Sequence, residues 1–455
     1  MVVVSLAPLV MTLPHPAIFG IPIDFILFGL TLVCVAVFHQ HTLRVALVGL
    51  FTVALYKILF TGFKMGTGLV GFVSHVKQEW VILTNLLCLL LGFAVLSSHF
   101  EKSHLTLVLP KYLPHDWKGG LVLLGVVWVL SSFLDNIAGA LIGGALAHEL
   151  FRSKVHIGYV AAIVAASNAG GAWSVLGDTT TTMLWIAGVS PGQVFEAVIG
   201  AAVSLFVFGI PAAIKQQRYS PMLTHARTRM RIDWVRIAVI GLILAFALVA
   251  NVATNIKFPG YADRFPFIGL AVWTAILVSI VFRAPEWNVI PPAFRSSIFL
   301  VSLVLTASMM PVEELPVASW KTALGLGFVS AVFDNIPLTA LAIKQGGYDW
   351  GFLAYVVGFG GSIIWLGSSS GVALSSMYPE TKSVVQWLRH GWYIIVAYLV
   401  GFYLMLGLLG WRPDTPHRRV APFPKVTSAA MKDWFFLRTS RGEPQLAEAA
   451  QANPQ

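Results

Sequence analysis

An Asp-Asn pair sits inside an apolar stretch twice in this chain, and each time a glycine-broken apolar segment follows. The first copy is Ser132-Phe133-Leu134-Asp135-Asn136-Ile137, followed downstream by Gly170-Gly171, five residues, Gly177 and Asp178. The second is Val332-Phe333-Asp334-Asn335-Ile336-Pro337, followed by Gly360-Gly361, five residues, Gly367 and Ser368. An ionisable group at bilayer depth costs about 3 kcal/mol on insertion scales, so a carboxylate there has a partner or a task. Matching places in both halves imply an internally duplicated chain with a polar site between the halves, as in secondary transporters.

The chain is 57% hydrophobic and 11% charged, where soluble domains carry about 25% charged residues. Apolar runs recur from Pro16 to Gly410, which predicts an all-α polytopic membrane protein. The formal charge of +10 does not imply nucleic acid. Its basic residues fall in short loops and a tail, where they set orientation and meet the lipid bilayer. Cys34 and Cys88 lie in predicted helices and form no CxxC, so no disulfide framework is expected. No Lys or Arg precedes Arg44, so the first apolar run is read as a retained span rather than a secretory signal.

Spans are predicted at 17–38, 43–61, 80–99, 157–188 and 193–214, then at 234–255, 265–283, 296–314, 349–376 and 391–410. Segments 120–148 and 320–345 carry Asp-Asn in their middles and are read as re-entrant hairpins with the pair at the tip, since non-helical backbone is tolerated only beside a cavity. The long spans 157–188 and 349–376 are read as broken helices. Each half then has five transmembrane helices plus one re-entrant hairpin. An odd number of crossings makes this an inverted repeat. The expected boundaries are a first repeat at 1–214, a cytoplasmic linker at 215–233, a second repeat at 234–411 and a disordered basic tail at 412–455. Lys and Arg in the loops concentrate on the linker side, which assigns that side to the cytoplasm.

Asp135 and Asp334 are the first candidates for chemistry. A carboxylate in a low-dielectric site holds a small cation or a proton, and the two compete. Asn136 and Asn335 add neutral amide oxygens suited to a hard cation such as Na⁺. Capping of the hairpin helices by Asp is compatible with that role. In the first broken span, Asn168 to Met183 supplies glycines that allow an unwound backbone, a further carboxylate at Asp178, and the hydroxyls of Thr179 to Thr182. Ser368, Ser369 and Ser370 stand in the equivalent place of the second half, with no carboxylate. Asp24, Lys57 and Glu196 also fall in or at the ends of spans, where an interfacial or inter-helix role is expected.

The run Ser167-Asn168-Ala169-Gly170-Gly171-Ala172-Trp173-Ser174-Val175-Leu176-Gly177-Asp178-Thr179-Thr180-Thr181-Thr182-Met183-Leu184-Trp185 resembles the signature of NhaD-type Na⁺/H⁺ antiporters. Phe333 to Leu338, Gly360-Gly361-Ser362 and Gly367 to Ala373 resemble the same family, which belongs to the wider ion transporter superfamily. The resemblance implies an inverted-repeat fold with two re-entrant hairpins, a homodimeric scaffold and an elevator-like transport domain. It implies exchange of Na⁺ or Li⁺ for H⁺ across the cell inner (plasma) membrane, with no enzymatic activity and no cofactor beyond the transported ions. Asp135, Asn136, Asn168, Asp178, Thr180, Asp334, Asn335 and Ser369 take the ion-site roles, with Asp135, Asn136, Asp178, Asp334 and Asn335 as Na⁺ ligands. The alternative is an arsenite transporter, or another oxyanion or carboxylate carrier of the same superfamily. Three buried acids with no nearby Lys or Arg would repel a dianion. An intramembrane aspartyl protease would need Gly-x-Gly-Asp, and Val175 stands where that motif needs glycine.

Overall fold

Inside a bilayer every backbone N–H and C=O needs an internal partner, and the apolar runs meet this demand as helices. The computed structural model describes residues 16–38, 41–64, 66–105, 113–222, 231–254, 261 and 264–414. Of the expected linker only 215–222 and 231–233 fall among these, and of the expected tail only 412–414; the remainder of both lies outside the described residues. The chain is mostly helical. A two-residue antiparallel pair, Ala17–Ile18 with Ile21–Pro22, precedes the first helix, so the span expected at 17–38 is helical over Ile23–Val37.

Among the described residues, five helices are long and apolar enough to cross a membrane: Thr42–Thr61, Gly68–Glu101, Pro191–Tyr219, Trp234–Val252 and Trp287–Ser308. A sixth is formed if Val384–Gly391 and Tyr393–Leu409, bent by 60° at their junction, count as one span. The protein is a multi-pass helical membrane protein. Gly68–Glu101 begins well before the expected start at 80; its 34 residues exceed the roughly 20 needed to span the hydrocarbon. Helices such as Trp234–Val252 and Thr42–Tyr56 leave apolar side chains exposed, among them Phe51, Trp234 and Val249, as lipid-facing surfaces do.

Both Asp-Asn segments fold as helix–turn–helix. In the first hairpin Trp117–Ser131 leads to Asn136–Leu150, and in the second Trp320–Ser330 leads to Asn335–Gln345. Arms of 15 and 11 residues are too short to cross alone. Asp135 and Asp334 stand at the turns with nearly the same backbone, φ −54°, ψ 143° and φ −53°, ψ 137°. Both long spans break where the glycines predict. Ile157–Ala172 gives way to Thr179–Ile186, and Trp350–Gly360 to Ser369–Met377. The second pieces start from Asp178 (φ −142°, ψ 149°) and Ser368 (φ −144°, ψ 150°). The first pieces are the centre of the molecule: every residue of Gly158–Ala172 and of Trp350–Gly360 is buried. A helix that is apolar or small all round has no face for solvent.

The break glycines serve a purpose other than the expected one. None of Gly170, Gly171, Gly177, Gly360, Gly361 and Gly367 has positive φ; they are required for close backbone approach. A Cβ on Gly170 would lie 2.1 Å from the carbonyl oxygen of Trp128, and one on Gly360 would lie 2.3 Å from that of Gly327. Gly177 and Gly367 likewise abut the carbonyls of Ser131 and Ala331. In both halves the broken span thus presses backbone to backbone on the first arm of its own hairpin, through the same motif positions. Gly170→Ala should therefore push the hairpin off the span and destabilise the protein by about 1–3 kcal/mol. A melting temperature in detergent equal to that of the unsubstituted protein would show that the contact relaxes freely.

The ends of Ala197–Tyr219 locate the two broken spans. His156, which caps the first, donates its backbone N–H to Gln216 Oε1 at 2.7 Å, near the C-terminal end of that helix. The second starts beside its N-terminal end: Arg412 contacts both Asp349, the cap of Trp350–Gly360, and Glu196, and a Cβ on Gly351 would lie 2.8 Å from Gln193 O. At the linker end, Asp233 caps Trp234–Val252 and takes a 3.0 Å bond from Arg283 Nε. This hydrogen bond from Arg283 holds the Asp233 carboxyl below the usual carboxylate range. Its backbone N–H reaches Ser103 O at 2.9 Å, and Lys102 pairs with Glu286 nearby.

Candidate functional site

The hairpin tips and the span breaks meet in one polar cluster. Four helices start there, those that follow Asp135, Asp178, Asp334 and Ser368. Helix N-termini stabilise negative charge, which suits carboxylates at three of the four starts. Asp178 is 3% exposed, whereas Asp135 and Asp334 are half-buried.

Asn168 is the hub. Its Oδ1 accepts from Asn136 Nδ2 at 3.1 Å and from Ser370 Oγ at 2.7 Å, and its Nδ2 donates to Ser362 Oγ and Ser368 Oγ, each at 3.0 Å. One amide thereby joins the first hairpin, the first broken span and the second broken span. Ser368 Oγ and Ser370 Oγ close the ring at 3.0 Å. Behind it, Ser131 and Ser167 share a 3.0 Å bond, and Ser167 Oγ donates to the carbonyl of Asn136.

Asp178 and Asp334 each divide their two oxygens. Oδ1 of Asp178 takes the N–H of Thr180 at 3.3 Å, and Oδ2 takes Asn335 Nδ2 from the second hairpin at 3.2 Å. Oδ1 of Asp334 takes the N–H of Ile336 at 3.0 Å, and Oδ2 takes Ser369 Oγ at 3.3 Å. Helix capping and a reach across the site are both made by these side chains. Asp135 occupies the corresponding cap position of the first hairpin without a side-chain capping bond. The carboxylates of Asp135 and Asp334 both lie within electrostatic range of Asp178.

All eight predicted residues therefore lie in this cluster, and the four threonines divide. Thr180 faces the Asp178 carboxylate. Thr181 and Thr182 instead donate to the carbonyls of the break, Ser174 O at 2.6 Å and Val175 O at 2.9 Å, and so satisfy backbone that the break leaves without a helical partner. Asp24 and Lys57 pair with each other at 3.7 Å in a buried bridge, and Glu196 pairs with Arg412, in keeping with inter-helix roles. Ser362, Ser368 and Ser370 join the cluster through Asn168, although the resemblance assigns an ion-site role to none of the three. The available signal for Ser362 is position: it follows Gly360-Gly361 where Ala172 follows Gly170-Gly171 in the first half.

The halves are not equivalent. Gly358 stands where motif alignment puts Asn168, and a Cβ on it would lie 3.7 Å from Asp178 Oδ2. The first half places a large amide against serines; the second places a glycine whose Cβ would lie 3.0 Å from Ala172 Cβ of the first broken span. Among the described residues, no three Asp, Glu, His or Cys side chains converge on one metal-sized point. The cluster offers carboxylate, amide and hydroxyl oxygens, a donor set matched to a hard monovalent cation, together with acids able to exchange a proton.

No family model matches the chain. It is 27% identical over 288 residues to sodium/proton antiporter 1 of Arabidopsis thaliana, covering 55% of this chain and 49% of that protein. It is 23% identical over 325 residues to the Na⁺/H⁺ antiporter NhaD of Vibrio cholerae, covering 62% and 68%, and 25% identical over 291 residues to NhaD of Alkalimonas amylolytica, covering 54% and 60%. The match thus spans about half the length of the Arabidopsis relative. With the glycine-framed Asn168–Asp178 motif built into the centre of the fold, the chain is similar to Na⁺/H⁺ antiporters of the NhaD type.

Proposed function

We propose that this protein exchanges Na⁺ or Li⁺ for H⁺ across the cell inner (plasma) membrane. The observation that carries the proposal is the buried Asp178 carboxylate, held by Asn335 of the second hairpin and flanked by Asp135 and Asp334. A cation that binds such carboxylates must displace their protons, so one site serves both ions in turn. In this reading Asp135, Asn136, Asp178, Asp334 and Asn335 supply cation ligands, Asn168 holds the two halves in register, and Thr180 and Ser369 orient Asp178 and Asp334. Loss of the proton precedes cation binding, so exchange rises from neutral to alkaline pH.

The repeats, 1–214 and 234–411, insert with opposite orientation about the linker 215–233. Two findings support this: the broken spans start at opposite ends of Ala197–Tyr219, and the paired cap geometries agree within several degrees. Alternating access then follows an elevator-like movement of hairpins and broken spans against the remaining helices, in a homodimer. The linker faces the cytoplasm. A cysteine replacing Arg218, exposed at the linker end of its helix, in a background lacking Cys34 and Cys88, should resist an impermeant thiol reagent in intact cells and react in everted vesicles. Labelling in intact cells would reverse the topology.

The purified protein in liposomes tests the function. Na⁺ and Li⁺ should each drive proton movement between about pH 7 and 9, the range above the ordinary carboxylate pKa where the acids release their protons. Arsenite or dicarboxylate uptake without cation-dependent proton movement would overturn the reading in favour of an oxyanion or carboxylate carrier.

A further inference from the structure

Away from the ion site, the base of the second hairpin is fastened to the flanking helices by charge. Lys344 lies in the last turn of Asn335–Gln345. Its ammonium donates to the carbonyl of Ser308, the last residue of Ile290–Ser308, and lies 3.6 Å from Glu79 Oε1 on Gly68–Glu101. The receiving face is prepared. His75, one turn before Glu79, bonds through Nε2 to Ser308 Oγ at 2.9 Å and is buried. A helix C-terminus carries partial negative charge, and Glu79 adds a full one, so an ammonium from the hairpin fits there, with the Lys64–Glu313 pair in electrostatic range. The Lys344 and Glu79 side chains are 18% and 16% exposed. By contrast, Lys64–Glu313 on the same edge is largely exposed, at 46% and 61%, and such pairs contribute little.

We infer that Lys344 is a latch: its bonds to Glu79 and Ser308 hold the second hairpin, and with it Asp334 and Asn335, in the position seen here relative to Gly68–Glu101 and Ile290–Ser308. The inference rests on the proposed movement of the hairpins against those helices. A residue that only packed the hairpin would need no charge. A latch must be strong enough to define one state and polar enough to be rehydrated when it opens, which a half-buried ammonium satisfies and an apolar side chain does not.

The experiment measures position rather than transport, so it stands apart from the question of which ion is carried. Spin labels are placed on cysteines replacing Lys77 on Gly68–Glu101 and Lys321 on the second hairpin, both exposed, with Cys34 and Cys88 removed. Distances are recorded in lipid nanodiscs with and without Na⁺. Lys344→Met should change the ratio of the two distance populations by about tenfold, the effect of losing one charge-assisted hydrogen bond. Glu79→Gln should move the ratio in the same direction, the double variant should add little, and Lys344→Arg should stay near the unsubstituted protein. Lys64→Gln, which removes a charge from the exposed pair nearby, serves as the control and should move the ratio far less than Lys344→Met. Distance distributions identical for Lys344→Met, Lys344→Arg and the unsubstituted protein would make Lys344 a structural clip and overturn the inference. Absence of Na⁺/H⁺ exchange by the unsubstituted protein, together with a shifted ratio in Lys344→Met, would overturn the transport reading and leave the latch standing.

Discussion

Asp178→Asn should abolish cation-driven proton movement, lowering it roughly a hundredfold or more, the scale of losing a proton-transferring group, while the protein folds and melts normally. Asn is as good a helix cap as Asp, so the bond from Thr180 N–H survives. The new amide has one oxygen, so its NH2 stands where Asp178 Oδ2 now accepts from Asn335 Nδ2 at 3.2 Å, and a turn of the Asn335 amide to present its oxygen keeps that contact. What disappears is the titratable charge at the most buried of the three acids. Asp135→Asn and Asp334→Asn should give the same phenotype for the same reason. Ser368→Ala is the contrast. Ser368 Oγ caps Gly371 and accepts from Asn168 but neither gains nor loses a proton at working pH, so its loss should weaken apparent cation affinity by roughly fivefold, about the worth of one hydrogen bond. The check is cation-dependent proton flux in proteoliposomes at several pH values. Unimpaired Asp178→Asn beside inactive Ser368→Ala would assign the chemistry to the second half.

Asn168→Ala should be the most damaging substitution of an uncharged site residue. It removes four hydrogen bonds at once and leaves Asn136, Ser362, Ser368 and Ser370 to find other partners in a buried setting. Each orphaned polar group costs about 1–3 kcal/mol where no water reaches it, less where the membrane-embedded partners rearrange. The expected outcome is a melting temperature lowered by several degrees and loss of exchange, with Ser362→Ala and Ser370→Ala each losing much less. Thermal unfolding followed by tryptophan fluorescence measures the first effect and vesicle flux the second. A stability loss no greater than that of either serine variant would remove Asn168 from its place as hub.

Which parts of this fold were legible in the sequence follows from which forces set them. Apolar runs report burial directly, so the five long apolar helices among the described residues are found, though the early start of Gly68–Glu101 and the bend before Tyr393–Leu409 escape. The breaks at 173–178 and 361–368 are legible because Gly-Gly-x5-Gly with Asp or Ser has no stable place inside a plain apolar helix. The reason for the glycines was not: backbone contact with Trp128 and Gly327 depends on hairpins distant in sequence. Charge at membrane depth flags Asp135, Asp178 and Asp334. Serines give no such flag, since one hydroxyl is satisfied by its own helix as easily as by a neighbour, and Ser362 and Ser370 become site residues only through Asn168. Lys344 carries no flag either; its partner Glu79 lies on another helix, and no local pattern connects them.

The central claim is that one site holds cation and proton in turn, and proton release on cation binding measures it most directly. Purified protein in weakly buffered detergent solution near pH 7.5, between the ordinary pKa of carboxylates and that of lysine, is titrated with NaCl against a choline chloride control while a pH dye is followed. Saturable Na⁺-dependent proton release, absent in Asp178→Asn, is the expected result. Na⁺ binding detected by calorimetry with no proton released, or with equal release from Asp178→Asn, would contradict it.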